Sequence, residues 1–400
     1  MTARPWGRAD WLALAAVFGA GIVIRVALLP TEGFRGDLDQ FVGWVHHIAT
    51  KGLTTLYQGT DAGPVTFGPV MAYIWGLLAA VQPAFATAVD ASDPGIRMLM
   101  KVPASLADLG LAGLIGFALR DRPRWAVTGA AAVLLVPATW YVSAWWGQYE
   151  SIFVLSGLGA AIAAMRGRNG LAAALIAISL STKPQAIPFL IPLAAWFWAT
   201  GYGRSGVRGG VTELVRTGLI GAATLMVVWL PFIPAGGPGD YLANLSTYQN
   251  ESFNVLSLRA WNIWWLVQEA AAGGRFIGDD VAFLGPFTLR HVGFALTGLL
   301  SLVIALAIAR DPRPRTLLLG LAASVLTFFV FMTQMHERYA YAALVFLVLL
   351  LAERRARWLA FTIALRSCSV STLLRPCRRR QRLGGCFQSR ERWESLGPSR

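Results

Sequence analysis

Four short polar clusters interrupt long apolar runs in this chain. They are Gly36-Asp37-Leu38-Asp39, Trp146-Gly147-Gln148-Tyr149-Glu150, Thr182-Lys183-Pro184-Gln185 and His336-Glu337-Arg338-Tyr339. Their residue types suit a group transfer between a hydroxyl and a phosphate. A carboxylate such as Asp37 or Asp39 can act as general base on a hydroxyl. Lys183 can meet a phosphate as a point charge and Arg338 can grip it bidentately. His336 can donate to a phosphate oxygen. Gln148, Glu150, Gln185 and Glu337 supply further polar lining. Each residue also has a plainer reading. Asp37 and Asp39 suit solvated loop acids, and Asp39 suits an N-cap for the helix that follows it. Lys183 suits a side chain snorkelling to lipid headgroups. Glu337 and Arg338 suit an internal ion pair. Lys101 and Asp108, seven residues apart on one helix face, read as inward-facing structural groups. His46 and His47 lack a third ligand at suitable spacing, so no metal site is expected.

What must position these residues is a set of membrane helices. An ionisable group at membrane depth costs about 2.5–3.5 kcal/mol on insertion scales, which makes each cluster a functional candidate. A span needs about 20 apolar residues, or fewer when buried in protein. Runs at 11–30, 97–119, 125–143, 152–166, 169–182, 185–200, 215–234, 288–309, 316–334 and 340–352 qualify. The run 68–88 is interrupted at Gln82-Pro83 and reads as tilted or re-entrant. The expected fold is therefore all-α and polytopic, with about 10–11 transmembrane helices and two large outer loops.

Arginine sets the orientation. Arg4, Arg8, Arg120, Arg122, Arg124, Arg166, Arg168, Arg204, Arg208, Arg216, Arg310, Arg313, Arg315, Arg354, Arg355 and Arg357 fall in one set of loops, which should be cytoplasmic. All four polar clusters then fall on the other side. The first outer loop, 31–67, contains Phe41, Trp44, Val45 and Ile48 at helical spacing. Asp39–Thr50 therefore reads as an amphipathic helix lying on the membrane surface. The second, 235–287, contains Trp261, Ile263, Trp264, Trp265 and Val267, an aromatic cluster suited to the interface.

Composition supports this class. Hydrophobic residues make up 56% and charged residues 14% of the 400-residue chain, against about 25% charged in soluble domains. Mean hydropathy is +0.53. Soluble, disordered and fibrous classes are excluded. The net charge of +14 is uneven, because residues 366–400 hold nine Arg and two Glu. That pattern follows membrane orientation and a basic tail rather than nucleic-acid binding. Cys368, Cys377 and Cys386 all lie in the tail and match no zinc or redox motif. Two parts are expected: a transmembrane domain over 1–365, and an unpacked tail over 366–400. No Walker loop, dinucleotide glycine motif or Gly-x-Ser-x-Gly is present.

In order and common sidedness, these pieces resemble the GT-C superfamily of integral-membrane glycosyltransferases, in particular bacterial relatives of GPI-anchor mannosyltransferases. The resemblance runs from Gly36-Asp37-Leu38-Asp39 through Trp44, Gly52, Tyr57 and Gly68-Pro69, then Lys101-Val-Pro and Asp108, to the clusters at Trp146, Thr182 and His336. It implies a polyprenyl-phosphate-linked sugar donor, such as mannose, used on the outer face of the plasma membrane. The acceptor is a glycan, glycolipid or protein, and membrane lipid is a partner. Transfer is inverting and needs no cofactor. On that pattern Asp37 is the base, with Asp39 as the other candidate. Lys183, His336 and Arg338 hold the donor phosphate, and Gln148 lines the pocket. Relatives usually carry further spans beyond the last cluster, where this chain runs into its Arg- and Cys-rich tail. A flippase or transporter of lipid-linked sugars or solutes is the alternative that uses the same polar residues.

Overall fold

The computed structural model describes residues 5–353 and Arg357, and statements of structure refer to these. The tail 366–400, with its three cysteines, lies outside them. The fold is all-α apart from two two-stranded ladders. One pairs Ser257–Leu258 with Met335–His336 in parallel, and the other pairs Ala282–Leu284 with Phe287–Thr288.

Five helices are long and apolar enough to cross a membrane: Arg8–Leu28, Pro94–Ala118, Pro184–Ala235, Leu289–Arg310 and Pro314–Phe331. The pair Pro123–Leu134 and Pro137–Trp146, bent by 43°, makes a sixth. Pro69–Val81, Glu150–Met165 and Asn169–Leu180 are apolar but shorter. By length, then, five or six spans qualify rather than the expected 10–11. Part of the difference is a merged run. Within Pro184–Ala235, Ser205 (φ −151°, ψ 31°) and Gly206 (φ 60°, ψ −150°) leave the helical region. Arg204 Nη2 then meets Glu213 Oε2 at 3.1 Å. Nine residues of straight helix would separate those positions by roughly 13 Å, so the run folds back into a helical hairpin.

The first outer loop departs from expectation in two ways. Its helix is Arg35–Lys51, starting four residues before Asp39, with Phe34 as N-cap. Asp39 is therefore not a cap. The apolar face also does not rest on lipid. Leu38, Phe41, Val42, Trp44, Val45 and Ile48 are buried against the protein. Phe41, Trp44, Phe67, Trp75 and Tyr149 form an aromatic box with ring centroids 5.2 to 6.2 Å apart. Such pairs add about 0.5–1.5 kcal/mol each beyond area burial. A protein partner of that shape outcompetes the membrane surface.

Pro69–Val81 stops at Gln82, where Pro83 opens a 3₁₀ turn. Thirteen residues reach about 20 Å, short of the roughly 30 Å hydrocarbon core. Both ends stay on the site's side. Gly68 N donates to Thr182 O at 3.1 Å, and His46 Nδ1 lies 3.0 Å from Phe85 O. Pro94–Ala118 is then the single crossing between the first outer loop and Arg120. In the second loop Trp264 is buried and donates to Phe331 O at 2.6 Å. Trp261 stacks on Trp265 with ring centroids 5.3 Å apart and keeps 54% of its surface exposed.

Inside the bundle, Arg25 and Asp108 make a fully enclosed ion pair, Nη2 to Oδ2 at 2.7 Å. Ser143 and Ser151 also donate to Asp108. Lys101, on the same helix, does not meet Asp108 but donates to Thr31 O at 2.8 Å. The pair ties Arg8–Leu28 to Pro94–Ala118. Removing one partner of a buried pair costs about 3–5 kcal/mol, because the other charge stays behind, whereas an apolar replacement of both is far milder. Arg25→Met and Asp108→Leu are each expected to lower the unfolding midpoint in detergent sharply. The double variant should unfold later than either single one. If the double variant proves the least stable, the pair is not the tie described.

Candidate active site

The start of helix Arg35–Lys51 sets the first carboxylate. Asp37 lies in its first turn, where the helix dipole favours a negative charge. Asp37 Oδ2 accepts from Trp146 Nε1 at 2.8 Å and from Gln148 Nε2. Both donors flank Gly147, which is left-handed (φ 90°, ψ 20°). A Cβ on Gly147 would lie 2.5 Å from Leu38 Cδ2. Only glycine lets this turn approach the helix closely enough for both neighbours to reach one carboxylate. Neither bond uses Asp37 Oδ1.

Asp39 goes elsewhere. Its Oδ1 accepts from Arg35 Nε at 2.9 Å and from Ala91 N at 2.9 Å. It pins the helix to the 90–93 loop and lies away from the cavity that Asp37 lines.

The cations come from two helix breaks. Pro184 prevents the helix Asn169–Leu180 from continuing, and Lys183 sits extended (φ −154°, ψ 137°) between it and a 3₁₀ turn. Its Nζ donates to Glu150 Oε1 at 2.9 Å and to Gln148 Oε1 at 3.3 Å. It also lies 4.8 Å from the centre of the Phe67 ring. Arg338 opens from the 3₁₀ turn Glu337–Ala340, and its Nε donates to the same Glu150 Oε1 at 3.0 Å. The guanidinium lies 4.8 Å from the Trp146 ring centre. A continuous polar chain results: Asp37, Gln148, Lys183, Glu150, Arg338. The amide of Gln148 is fixed in one sense by a carboxylate at one end and an ammonium at the other.

Several polar atoms around this chain are buried without a hydrogen-bond partner: Glu150 Oε2, Arg338 Nη1, Gln185 Oε1 and His336 Nδ1. Each such group costs about 1–3 kcal/mol if left so, a cost that water or a polar guest would relieve. The His336 ring packs edge-on against Tyr339, centroids 5.4 Å apart. Burial, then the Arg338 charge, pushes its imidazole below the ordinary 6.5. Gln185 Nε2 donates to Tyr339 Oη at 3.1 Å. The Tyr339 proton is thus directed elsewhere, and burial raises its phenol to about 12.

Asp37, Gln148, Lys183, Gln185, His336, Arg338 and Tyr339 line one cavity of about 390 Å³. Glu150 lies behind the cations as their shared counter-ion. Glu337 does not line the cavity, and its Oε2 is 3.6 Å from His336 Nδ1. Apolar side chains also line it: Ile187, Pro188, Phe294, Val325, Phe328 and Phe329. Among the described residues no three His, Cys, Asp or Glu side chains are grouped to hold a metal ion.

Sequence reasoning missed Tyr248, Gln249, Thr333 and Gln334 on the cavity wall. Thr333-Gln334 directly precede the last polar cluster, and extending that cluster would have found them. Tyr248 carries no local signal. It reaches the cavity because the helix Gly237–Thr247 ends there, and burial raises its phenol well above the ordinary value.

A family model described as the ALG6, ALG8 glycosyltransferase family matches residues 115–377. The match takes in Gln148, Glu150, Lys183, Gln185, His336, Glu337 and Arg338; Asp37 and Asp39 precede it. No curated protein matches the chain. Among solved structures, the apo crystal structure of the Archaeoglobus fulgidus oligosaccharyltransferase is similar at 13% identity and a TM-score of 0.46. That alignment covers 97% of this chain and 60% of that one, so the chain spans 60% of the other's length. The chain belongs to the ALG6, ALG8 glycosyltransferase family, within the GT-C type of membrane glycosyltransferases.

Proposed function

We propose that this enzyme moves a hexose from a polyprenyl-phosphate donor to a hydroxyl of a glycan, glycolipid or protein, with inversion, at the extracytoplasmic face of the cell membrane. The observation that carries the reading is the cavity itself. One carboxylate faces it beside a relay that ends in two buried cations, and an apolar stretch of wall lies alongside them. A volume of about 390 Å³ lies within the roughly 300–1,000 Å³ of small-molecule sites. It suits a hexosyl phosphate head, while an isoprenoid tail would leave between the helices bearing Ile187, Phe294 and Phe328.

Asp37 takes the proton of the acceptor hydroxyl. The freed oxygen attacks the anomeric carbon from the face opposite the phosphate. The carbon–oxygen bond to phosphate breaks, and its electron pair leaves with polyprenyl phosphate. Lys183 and Arg338 lie where that charge grows, which is where fixed cations stabilise a transition state most. Neutral His336 donates to a phosphate oxygen. Trp146 and Gln148 hold Asp37 in place through Oδ2 and leave Oδ1 to the acceptor. Asp39 keeps the helix seated. Membership of a glycosyltransferase family favours transfer over the flippase alternative.

The test uses polyprenyl-phosphate-linked ¹⁴C-mannose and ¹⁴C-glucose in parallel, with membranes of a deletion strain as acceptor source. Asp37→Asn is expected to lose a factor of about 10²–10⁴ in transfer, the usual share of a general base. Asp39→Asn should retain transfer unless the helix is unseated. Parental rates in Asp37→Asn, at normal expression, would remove it as the base. No transfer from either donor by the parental enzyme would remove the donor class.

His336 gives a second check. Its imidazole titrates below 6.5 in the fold, so the unfolded chain binds that proton more readily. Stability is therefore lost as pH falls through about 6.5 toward the folded value. His336→Gln is expected to show a shallower fall in unfolding midpoint between about pH 7 and 5. An unchanged slope would show that His336 is not held neutral.

A further inference from the structure

The second outer loop carries a feature that the reaction does not use. Between Val281 and Thr288 the chain has no charged residue and turns at Gly285 (φ 55°) into the hairpin Ala282–Leu284 and Phe287–Thr288. An antiparallel pair ordinarily packs one face on a core. Here both faces are open: Phe283 is 63% exposed, Leu284 72% and Phe287 58%. Charge begins only at the base, with Asp279 and Asp280 before the hairpin and Arg290 after it.

The base is clamped. Arg290 grips the fully buried Asp279, Nη2 to Oδ1 at 2.6 Å and Nε to Oδ2 at 3.0 Å. Leu289 N donates to Val281 O at 3.0 Å. Asp279 Oδ2 also accepts from Thr333 Oγ1 at 2.6 Å and from Gln334 Nε2 at 3.0 Å. Both of those residues lie on the cavity wall, just ahead of His336.

We propose that the hairpin Val281–Thr288 is seated in the acyl region of the membrane leaflet on the site's side, and that the Asp279–Arg290 clamp ties this lipid seat to the segment bearing His336 and Arg338. Lipid is the occupant for three reasons. The hairpin runs without a break into the span Leu289–Arg310, whose Leu299, Leu302 and Val303 are likewise exposed. An uncharged apolar tip above a charged base matches the change from acyl chains to headgroups. Exposed apolar area of this extent marks an interaction surface. The seat fixes the depth of the cavity wall relative to the bilayer, which is where a phosphate carried by a lipid must arrive. The seating itself does not depend on the reaction proposed above.

The test uses the full chain with Cys368, Cys377 and Cys386 changed to Ser. A single nitroxide-labelled Cys replaces Phe283, Leu284 or Phe287, and the protein is reconstituted in phosphatidylcholine–phosphatidylglycerol nanodiscs. Collisional relaxation by oxygen is expected to exceed that by nickel-EDDA at all three sites, and the order should reverse at a Glu269→Cys control. Nickel access equal to the control would place the hairpin in water. Low access to both reagents would mean that protein, such as a second copy, covers it. Either result overturns the seat. For the tie, Asp279→Asn should speed amide exchange at Met335–His336, as should the milder Thr333→Val if the first variant does not fold. Unchanged exchange there overturns the tie, even in a preparation that transfers no sugar.

Discussion

One oxygen atom organises the site. Glu150 Oε1 accepts from both Lys183 Nζ and Arg338 Nε, and these come from breaks more than 150 residues apart in sequence. Burying a carboxylate or a cation alone costs several kcal/mol, and even a matched pair in low dielectric barely offsets its own desolvation. Two cations sharing one carboxylate are therefore poor stabilisers of the fold. They also leave Arg338 Nη1 and Glu150 Oε2 without partners. An apolar substitute would serve stability better. The arrangement makes sense as a pre-assembled pair of cations for the proposed reaction, with Arg338 on the cavity wall and Glu150 behind it.

Around that atom the helices act as a frame. Glu150 opens Glu150–Met165, Lys183 follows Asn169–Leu180, and Arg338 follows Pro314–Phe331. All three are helix ends of one sense, opposite the Arg-rich ends at Arg166, Arg168 and Arg313. The helix Arg35–Lys51 then brings Asp37 over this end, held by the aromatic box beneath it rather than by lipid. Gly68 seals the approach from another direction. Gly68 N and Val70 N donate to Thr182 O and Ser181 O at 3.1 and 3.0 Å, immediately before Lys183.

Much of this was legible in the sequence, because a membrane penalises misplaced charge so heavily. Runs of apolar residues gave the helices, and the four polar clusters stood out because they had no cheap place to be. What was not legible depended on tertiary contacts. Asp39 matched Asp37 in type and position, and only the reach of Arg35 and the Ala91 amide separates the two roles. The helical spacing of Phe41, Trp44, Val45 and Ile48 announced an amphipathic face but not what would cover it. Glu150 and Glu337 looked alike as lining, yet neither lines the cavity: one is the counter-ion of both cations and the other lies beside His336. The spans 185–200 and 215–234 were legible as two, and the non-helical Ser205-Gly206 between them keeps them distinct within the continuous run Pro184–Ala235.

Charge accounting joins the two ends of the cavity. Asp37 and Glu150 balance Lys183 and Arg338, with His336 neutral, so the relay carries no net charge before a guest arrives. In the proposed reaction the acceptor proton neutralises Asp37 while the departing phosphate gains one negative charge. The net change within the site is zero, but negative charge moves from the carboxylate end to the cation end. In a low-dielectric cavity such a displacement is costly unless fixed cations already wait at the receiving end. Gln148 bridges the two ends with its amide dipole, its donor toward Asp37 and its acceptor toward Lys183. Its orientation holds negative charge at Asp37 before transfer, and Glu150 keeps the cations from drifting toward Asp37 and pairing with it. The counter-ion thus preserves the separation of Asp37 from the cations on which the proposed chemistry depends.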